Sequence, residues 1–118
     1  RACPAWLRQA CHQLSHPEHL KAGVRALFAL AGCSQEHTAR TLKKHTGKTP
    51  TEIVNAARMA YAAGQLQTTT RKILDIALAC GFSSLSHFYT VFQRAFGQSP
   101  QQYRLARFKT PVHPPVPH

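Results

Sequence analysis

Two stretches of this chain follow the same order of turn residues, and that repeat constrains the fold more than any other feature. Gly32-Cys33-Ser34 and Gly81-Phe82-Ser83 have the same form 49 residues apart. Gly47-Lys48-Thr49-Pro50 and Gly97-Gln98-Ser99-Pro100 have the same form 50 residues apart. Glycine favours the left-handed corner that ends a helix, and Ser or Thr followed by Pro favours the start of the next. The chain is therefore predicted to contain the same unit twice: a helix, a glycine turn, and a short helix that ends at a second glycine.

Apolar residues between these corners recur at helical spacing. In the second repeat the apolar positions before Gly81 are Ile73, Ile76, Ala77 and Cys80, and those after it are Phe88, Val91, Phe92, Ala95 and Phe96. In the first repeat, the stripe from His19 to Ala31 predicts a single helix that ends at Gly32. A capping box at residues 49–52 opens a longer helix to about Leu66.

These patterns predict an all-α fold, in which two helix-turn-helix subdomains are joined by a long linker helix, with about seven helices in total. A helix, a tight glycine turn and a second short helix form such a unit, and its second helix can enter the major groove of DNA. The predicted parts are an N-terminal helix (1–18), the first helix-turn-helix subdomain (19–48), the linker helix (49–68), the second helix-turn-helix subdomain (69–108) and a flexible Pro-rich tail (109–118).

The charge of the chain points to a polyanionic partner. Lys and Arg number 15 against four Asp and Glu, which gives a formal net charge of +11. RNA or an anionic membrane surface would account for that charge, but neither would account for the duplicated unit. No apolar run reaches the roughly 18 residues that a spanning helix needs, so no membrane contact is predicted. Double-stranded DNA is the predicted partner.

The residue types that catalysis or metal binding requires are scattered. No two of the acidic residues stand together as a catalytic pair: they are Glu18, Glu36, Glu52 and Asp75. His12 and His16 have helical spacing but no third ligand accompanies them. The four cysteines form no CxxC pair and are predicted to be reduced, buried thiols. We therefore predict no catalytic residue, no metal site and no cofactor.

The second repeat, ILDIALACGFSSLSHFYTVFQRAFGQSPQQYR, resembles the signature of AraC/XylS-type transcription regulators. The matching elements are Ile73, Asp75-Ile76-Ala77, Gly81-Phe82, Ser86, Phe88, Phe92, Phe96-Gly97, Ser99-Pro100 and Tyr103-Arg104. The first repeat is similar in AGCSQEHTARTLKKHTGKTP and then at Arg58, Met59 and Ala62. The resemblance covers about residues 20–107 and implies two helix-turn-helix subdomains. In most members of that family an effector-sensing or dimerising domain precedes this module, so such an N-terminal domain is expected to be missing from this chain.

The first predicted recognition helix runs from residue 34 to about residue 45. With Thr38 and Leu42 facing inward, its outward positions are Glu36, Ala39, Arg40 and Lys43. The resemblance places base reading at Glu36, Ala39 and Arg40. Arg40 has the donors to bind guanine O6 and N7 together, and Glu36 can accept from cytosine N4. Lys43 and Lys44 are predicted to hold phosphate.

The second predicted recognition helix begins at Ser83 or Ser84 and has a comparable polar face. Its outward residues are Leu85, Ser86, His87, Thr90 and Arg94. Ser86, His87 and Thr90 are predicted to face base edges, and Leu85 suits contact with a thymine methyl group. Arg94 is predicted to hold phosphate.

The predicted function is sequence-specific binding of double-stranded DNA by the C-terminal module of a bacterial AraC-type regulator. It would read two successive major-groove segments to control, and by expectation to activate, a promoter of a carbohydrate-utilisation operon. RNA polymerase is a further expected partner, and the expected location is the cytoplasm, on the nucleoid. Two alternatives stay open: a DNA-binding module attached to an alkylation-repair enzyme, and a non-specific basic nucleic-acid-binding domain.

Overall fold

The computed structural model describes the backbone of residues 3–109 and the side chains of residues 3–106. This part contains no strand and eight helices: α1 (Ala5–Leu14), α2 (Pro17–Leu20), α3 (Val24–Ala31), α4 (Gln35–Thr46), α5 (Pro50–Thr68), α6 (Ile73–Ala79), α7 (Leu85–Phe96) and α8 (Pro100–Lys109). The all-α prediction is confirmed. The predicted tail, apart from Lys109 at the end of α8, lies outside the described residues.

One helix boundary was predicted wrongly. The helix expected from His19 to Ala31 is two helices, α2 and α3, and this division raises the count from about seven to eight. Gly23 separates them with a φ of +65°, a left-handed conformation that favours glycine. Gly23 is also buried, and a Cβ atom there would lie 2.7 Å from Nη2 of Arg58 on α5. The chain therefore turns at Gly23 against a side chain that is distant in sequence.

The two short helices of the repeat start and end in the same way. Ser34 Oγ accepts from the backbone N–H of His37 at 3.1 Å, and Ser84 Oγ accepts from that of His87 at 3.2 Å. Of the two predicted caps for α7, Ser84 is therefore the one used. Both helices end at a left-handed glycine, Gly47 or Gly97. The capping Ser and Gly have the same spacing in both helices, so α4 and α7 each have 12 residues.

The helix that follows each of these begins with a reciprocal capping box. At the start of α5, the Thr49 N–H donates to Glu52 Oε1 at 2.9 Å and the Glu52 N–H donates to Thr49 Oγ1 at 3.2 Å. At the start of α8, Ser99 and Gln102 make the same two bonds at 2.9 and 3.1 Å. Each box satisfies two backbone donors that the helix itself leaves unpaired. The starts of both helices at these residues were predicted.

Buried apolar side chains form two clusters, and α5 contributes to both. The first cluster lies among α1, α3, α4 and the start of α5: Leu7, Ala10, Leu14, Ala26, Leu27, Ala31, Leu42 and Val54. The second lies among α2, α5, α6 and α7: Leu20, Met59, Ala62, Leu66, Ile76, Ala77, Cys80, Phe82, Phe88 and Phe92. Ala95, predicted on the apolar stripe of α7, is exposed. No helix in residues 3–109 has both the length and the apolar character that crossing a bilayer requires.

Candidate nucleic-acid interface

The rotation of α4 about its axis is set by two buried side chains. Thr38 and Leu42 are both 0% exposed, so the side of α4 that carries them faces the protein. The predicted DNA-facing residues lie on the remaining surface: Glu36, Arg40, Lys43 and Lys44 are exposed, and Ala39 is half-buried. The structure therefore brings all five onto the solvent side of one helix.

Arg40 and Glu36 form an ion pair one helical turn apart. Arg40 Nη2 lies 3.6 Å from Glu36 Oε2, and the two side chains are 69% and 85% exposed. An exposed pair of this kind contributes little to stability, because water screens both charges. It does place the guanidinium beside the carboxylate at the surface of α4. The two predicted base-reading side chains are thus adjacent and accessible.

Lys43 has an additional role at the end of α4. Its Nζ donates to the carbonyl oxygen of Gly47 at 3.2 Å. This carbonyl is at the C-terminus of α4, which is the negative end of the helix dipole. The ammonium group therefore stabilises the C-terminus of α4 in the protein without DNA. A phosphate contact by Lys43 would compete with this bond, whereas Lys44 is exposed next to it.

The second recognition helix, α7, is rotated in the same manner. Phe88 and Phe92 are 0% exposed and face the second cluster. All five predicted DNA-facing residues are exposed: Leu85, Ser86, His87, Thr90 and Arg94. Thr90 Oγ1 donates to the carbonyl oxygen of Ser86 at 3.1 Å, which leaves its lone pairs to accept from a partner.

A histidine occupies the third position of each recognition helix, and only His87 was predicted to face DNA. The His87 ring meets Phe82 edge-on with centroids 5.3 Å apart. His37 stands at the corresponding position of α4, is exposed, and stacks on Trp6 of α1 at 5.5 Å. The equal distance of three residues from the capping serines Ser34 and Ser84 was visible in the sequence. His37 is therefore an additional candidate at this interface.

The His, Cys, Asp and Glu side chains of the described residues are dispersed. No group of three or more His, Cys, Asp or Glu side chains in that part of the chain is placed to hold a metal ion. Burial raises the pKa of the Cys80 thiol to about 11, so at neutral pH it is protonated. A protonated, buried thiol is a poor nucleophile and a poor metal ligand.

The sequence matches known proteins over most of its length. A family described as a helix-turn-helix domain matches residues 27–106. The HTH-type transcriptional activator RhaS of Pectobacterium carotovorum subsp. carotovorum is 45% identical over 119 aligned residues, which cover 86% of this chain and 43% of that protein. The chain thus spans less than half the length of the curated relatives that it matches.

Two solved structures of similar fold are transcription factors or activators by their titles. The DNA-binding domain of the global transcriptional factor AdpA, in complex with a target DNA, has a TM-score of 0.78 at 28% identity. That match covers 93% of this chain and all of the other chain. The xylose-binding transcription activator xylR has a TM-score of 0.76 at 28% identity, covering 90% of this chain and 28% of the other.

Proposed function

The chain belongs to the AraC-type helix-turn-helix family of transcription regulators, and from that premise we propose that it binds double-stranded DNA in a sequence-specific manner. Its α4 and α7 would enter two successive segments of the major groove. Members of this family are regulators, and their matching domains are DNA-binding domains and not enzymes. In its whole-length form the protein would control a promoter.

The observation that carries this proposal is the pair of equivalent polar faces on α4 and α7. Each helix has 12 residues, enough for about 18 Å, which suits one major-groove segment. The two helices are expected to lie about 34 Å apart, which is one turn of the duplex. The net charge of +11 supplies the attraction to phosphate.

We propose different roles for the exposed residues of the two helices. On α4, base reading falls to Glu36, Ala39 and Arg40 and phosphate binding to Lys43 and Lys44. On α7, base reading falls to Leu85, Ser86, His87 and Thr90, and phosphate binding to Arg94. Base edges can be discriminated by hydrogen bonds and by apolar contacts, whereas a Lys or Arg that binds phosphate carries no sequence information.

The proposal also covers the division of the chain into units, the regulated promoter, a protein partner and the location in the cell. In this proposal residues 19–48 and 69–108 are the two reading units, residues 49–68 are the linker helix between them, and residues 1–18 are the N-terminal helix of the module. The relatives named RhaS are transcriptional activators, and one structural neighbour is a xylose-binding activator, which supports activation of a carbohydrate-utilisation promoter. RNA polymerase is then the second partner, and the bacterial cytoplasm, on the nucleoid, is the location. An effector-sensing N-terminal domain stays a prediction.

Selection of bound duplexes from a random pool tests the proposal. We expect two enriched half-sites whose centres lie about 10 base pairs apart, because α4 and α7 each read one of them. Enrichment of no sequence, despite measurable binding, would mean that the chain is a non-specific basic domain. A single enriched half-site would leave one recognition helix without a reading role.

A further inference from the structure

Arg58 of the linker helix α5 holds the last turn of α2. Its Nε and Nη2 both donate to the carbonyl oxygen of Leu20, at 3.1 and 2.9 Å, and Nη2 lies 3.5 Å from the carbonyl oxygen of Lys21. These carbonyls are at the C-terminus of α2, where helical partners are lacking. A bidentate guanidinium both satisfies them and fixes the direction of α2 relative to α5.

The same guanidinium contacts the glycine corner of the second helix-turn-helix unit. Its Cζ lies 5.5 Å from the centre of the Phe82 ring, a cation–π distance. A Cβ atom added to Gly81 would lie 2.7 Å from Arg58 Nη2 and 2.9 Å from the carbonyl oxygen of Leu20. Arg58 is therefore enclosed between Gly23 and Gly81, one glycine from each of the two units.

The side chain of Leu20 crosses between the units in the same place. Leu20 lies within the first predicted unit, yet it is 0% exposed and packs in the second cluster with Met59, Ile76 and Phe82. The backbone of α2 is thus bound by Arg58 while its last side chain fills the core of the other unit. Both contacts resist rotation of one unit against the other.

A second arginine makes a corresponding contact between α8 and the end of α5. Arg104 of α8 donates from Nε to the carbonyl oxygen of Leu66 at 3.1 Å and from Nη2 to that of Thr69 at 3.1 Å. Arg58 and Leu20 are 38 positions apart in the sequence, and so are Arg104 and Leu66. Arg104, however, ties α8 to the end of α5, so it supplies a matched control for Arg58.

We propose that Arg58 determines which spacing of half-sites the protein recognises, because it locks the two helix-turn-helix units into one rigid body. This inference rests on the proposed function, since half-sites require that both recognition helices bind DNA. One inserted base pair moves a half-site about 3.4 Å along the duplex and rotates it by about 34°. A rigid pair of helices cannot follow that displacement, whereas two loosely connected units can.

The first experiment measures affinity for the selected site and for versions lengthened or shortened by one base pair between the half-sites. We expect the wild-type protein to lose at least about tenfold in affinity on either change, the equivalent of one good base contact. Arg58→Lys keeps the charge but loses the bidentate fork, so its ratio between spacings should approach one. Arg104→Lys should keep the wild-type ratio. The proposal is overturned if Arg58→Lys retains the wild-type ratio, or if both variants lose it equally.

The second experiment needs no DNA, so it separates this inference from the proposed function. Backbone ¹⁵N relaxation of the free protein gives a rotational correlation time for each unit. We expect one common value in the wild-type protein and in Arg104→Lys, and two different values in Arg58→Lys. A common value in Arg58→Lys would overturn the lock. If no DNA sequence were selected but the units separated as expected, the lock would hold and the proposed function would fail.

Discussion

Arg40 and Glu36 are the residues of α4 on which the proposed reading of bases chiefly depends. Their side chains are more than two-thirds exposed and lie 3.6 Å apart, so the guanidinium stands free of the core with its orientation biased by the carboxylate. Such a side chain can exchange a weak ion pair for a bidentate contact with guanine at small cost.

Replacing Arg40 by Ala should therefore weaken binding to the best site by ~1–3 kcal/mol and relax the preference at one base pair. Binding to random duplex should change much less. Lys44→Ala is the control, and it should weaken both duplexes by similar factors because it removes a phosphate contact. Site selection with both variants is the measurement. A uniform loss for Arg40→Ala, with preference unchanged at every position, would remove its reading role.

Thr38 is a buried residue of α4 with an unsatisfied hydroxyl group. The side chain is 0% exposed, and its Oγ1 has no hydrogen-bond partner within the described residues. We expect Thr38→Val to raise the free energy of unfolding by about 1 kcal/mol, because Val has nearly the same shape and no group that loses water on burial. Denaturant unfolding measures the change.

Thr41→Val provides the comparison for Thr38→Val on the same helix. Thr41 is half-buried, and its Oγ1 already donates to the carbonyl oxygen of His37 at 2.8 Å. No gain in stability is expected from this variant. An equal gain from both substitutions would show that helix propensity, and not the buried hydroxyl, accounts for the result.

At the scale of elements, the capping box of α5 connects the stability of the linker helix to pH. The hydrogen bond from the Thr49 N–H, together with the nearby Lys43 and Lys48, holds the pKa of Glu52 below its ordinary value of 4.5. A carboxyl group whose pKa is lower in the folded state contributes stability above its unfolded pKa. That contribution is lost as the pH falls below 4.5 and then through the pKa of Glu52 in the folded protein.

We therefore expect the wild-type protein to lose stability relative to Glu52→Gln when the pH is lowered from about 6 to about 3. The amide oxygen of Gln still accepts from the cap N–H but does not titrate in this range. Thermal unfolding of both proteins across the range gives the difference. Parallel curves would mean that Glu52 does not carry this part of the acid sensitivity.

At the scale of the whole molecule, the positive net charge is expected to supply much of the affinity for DNA. With +11 on 118 residues, phosphate contacts should release counterions from DNA, and log affinity should fall with log salt by about 0.9 per phosphate neutralised. With six or more contacts, affinity for non-specific duplex should drop by ~10³ or more between ~50 and ~200 mM salt. Fluorescence anisotropy of a labelled duplex measures the slope.

A matched variant checks that this slope reports phosphate contacts. Lys44→Ala removes one exposed lysine from α4, so the log–log slope should become shallower by about one. A wild-type affinity that hardly responds to salt would contradict the electrostatic account. So would a steep slope that Lys44→Ala and a corresponding variant of Arg94 both leave unchanged.

The sequence by itself determined the features that depend on neighbours along the chain. The serine caps of α4 and α7, the capping box at Thr49 and the glycine ends at Gly47 and Gly97 were all predicted, because each involves residues within about four positions. Helical periodicity likewise identified the buried sides of α4 and α7, and with them the solvent-facing positions. The roles of these positions in DNA binding remain predictions.

Only the tertiary structure decided how the two repeats are joined. The close approach of Gly23 to Arg58, the enclosure of Arg58 between two glycines and the packing of Leu20 in the second cluster all link segments more than 20 residues apart. Local patterns carry no information about such pairs, because the residues in contact are far apart in the sequence. The contacts exist because burying the Leu20 side chain and satisfying its carbonyl require a partner that only the folded chain brings near.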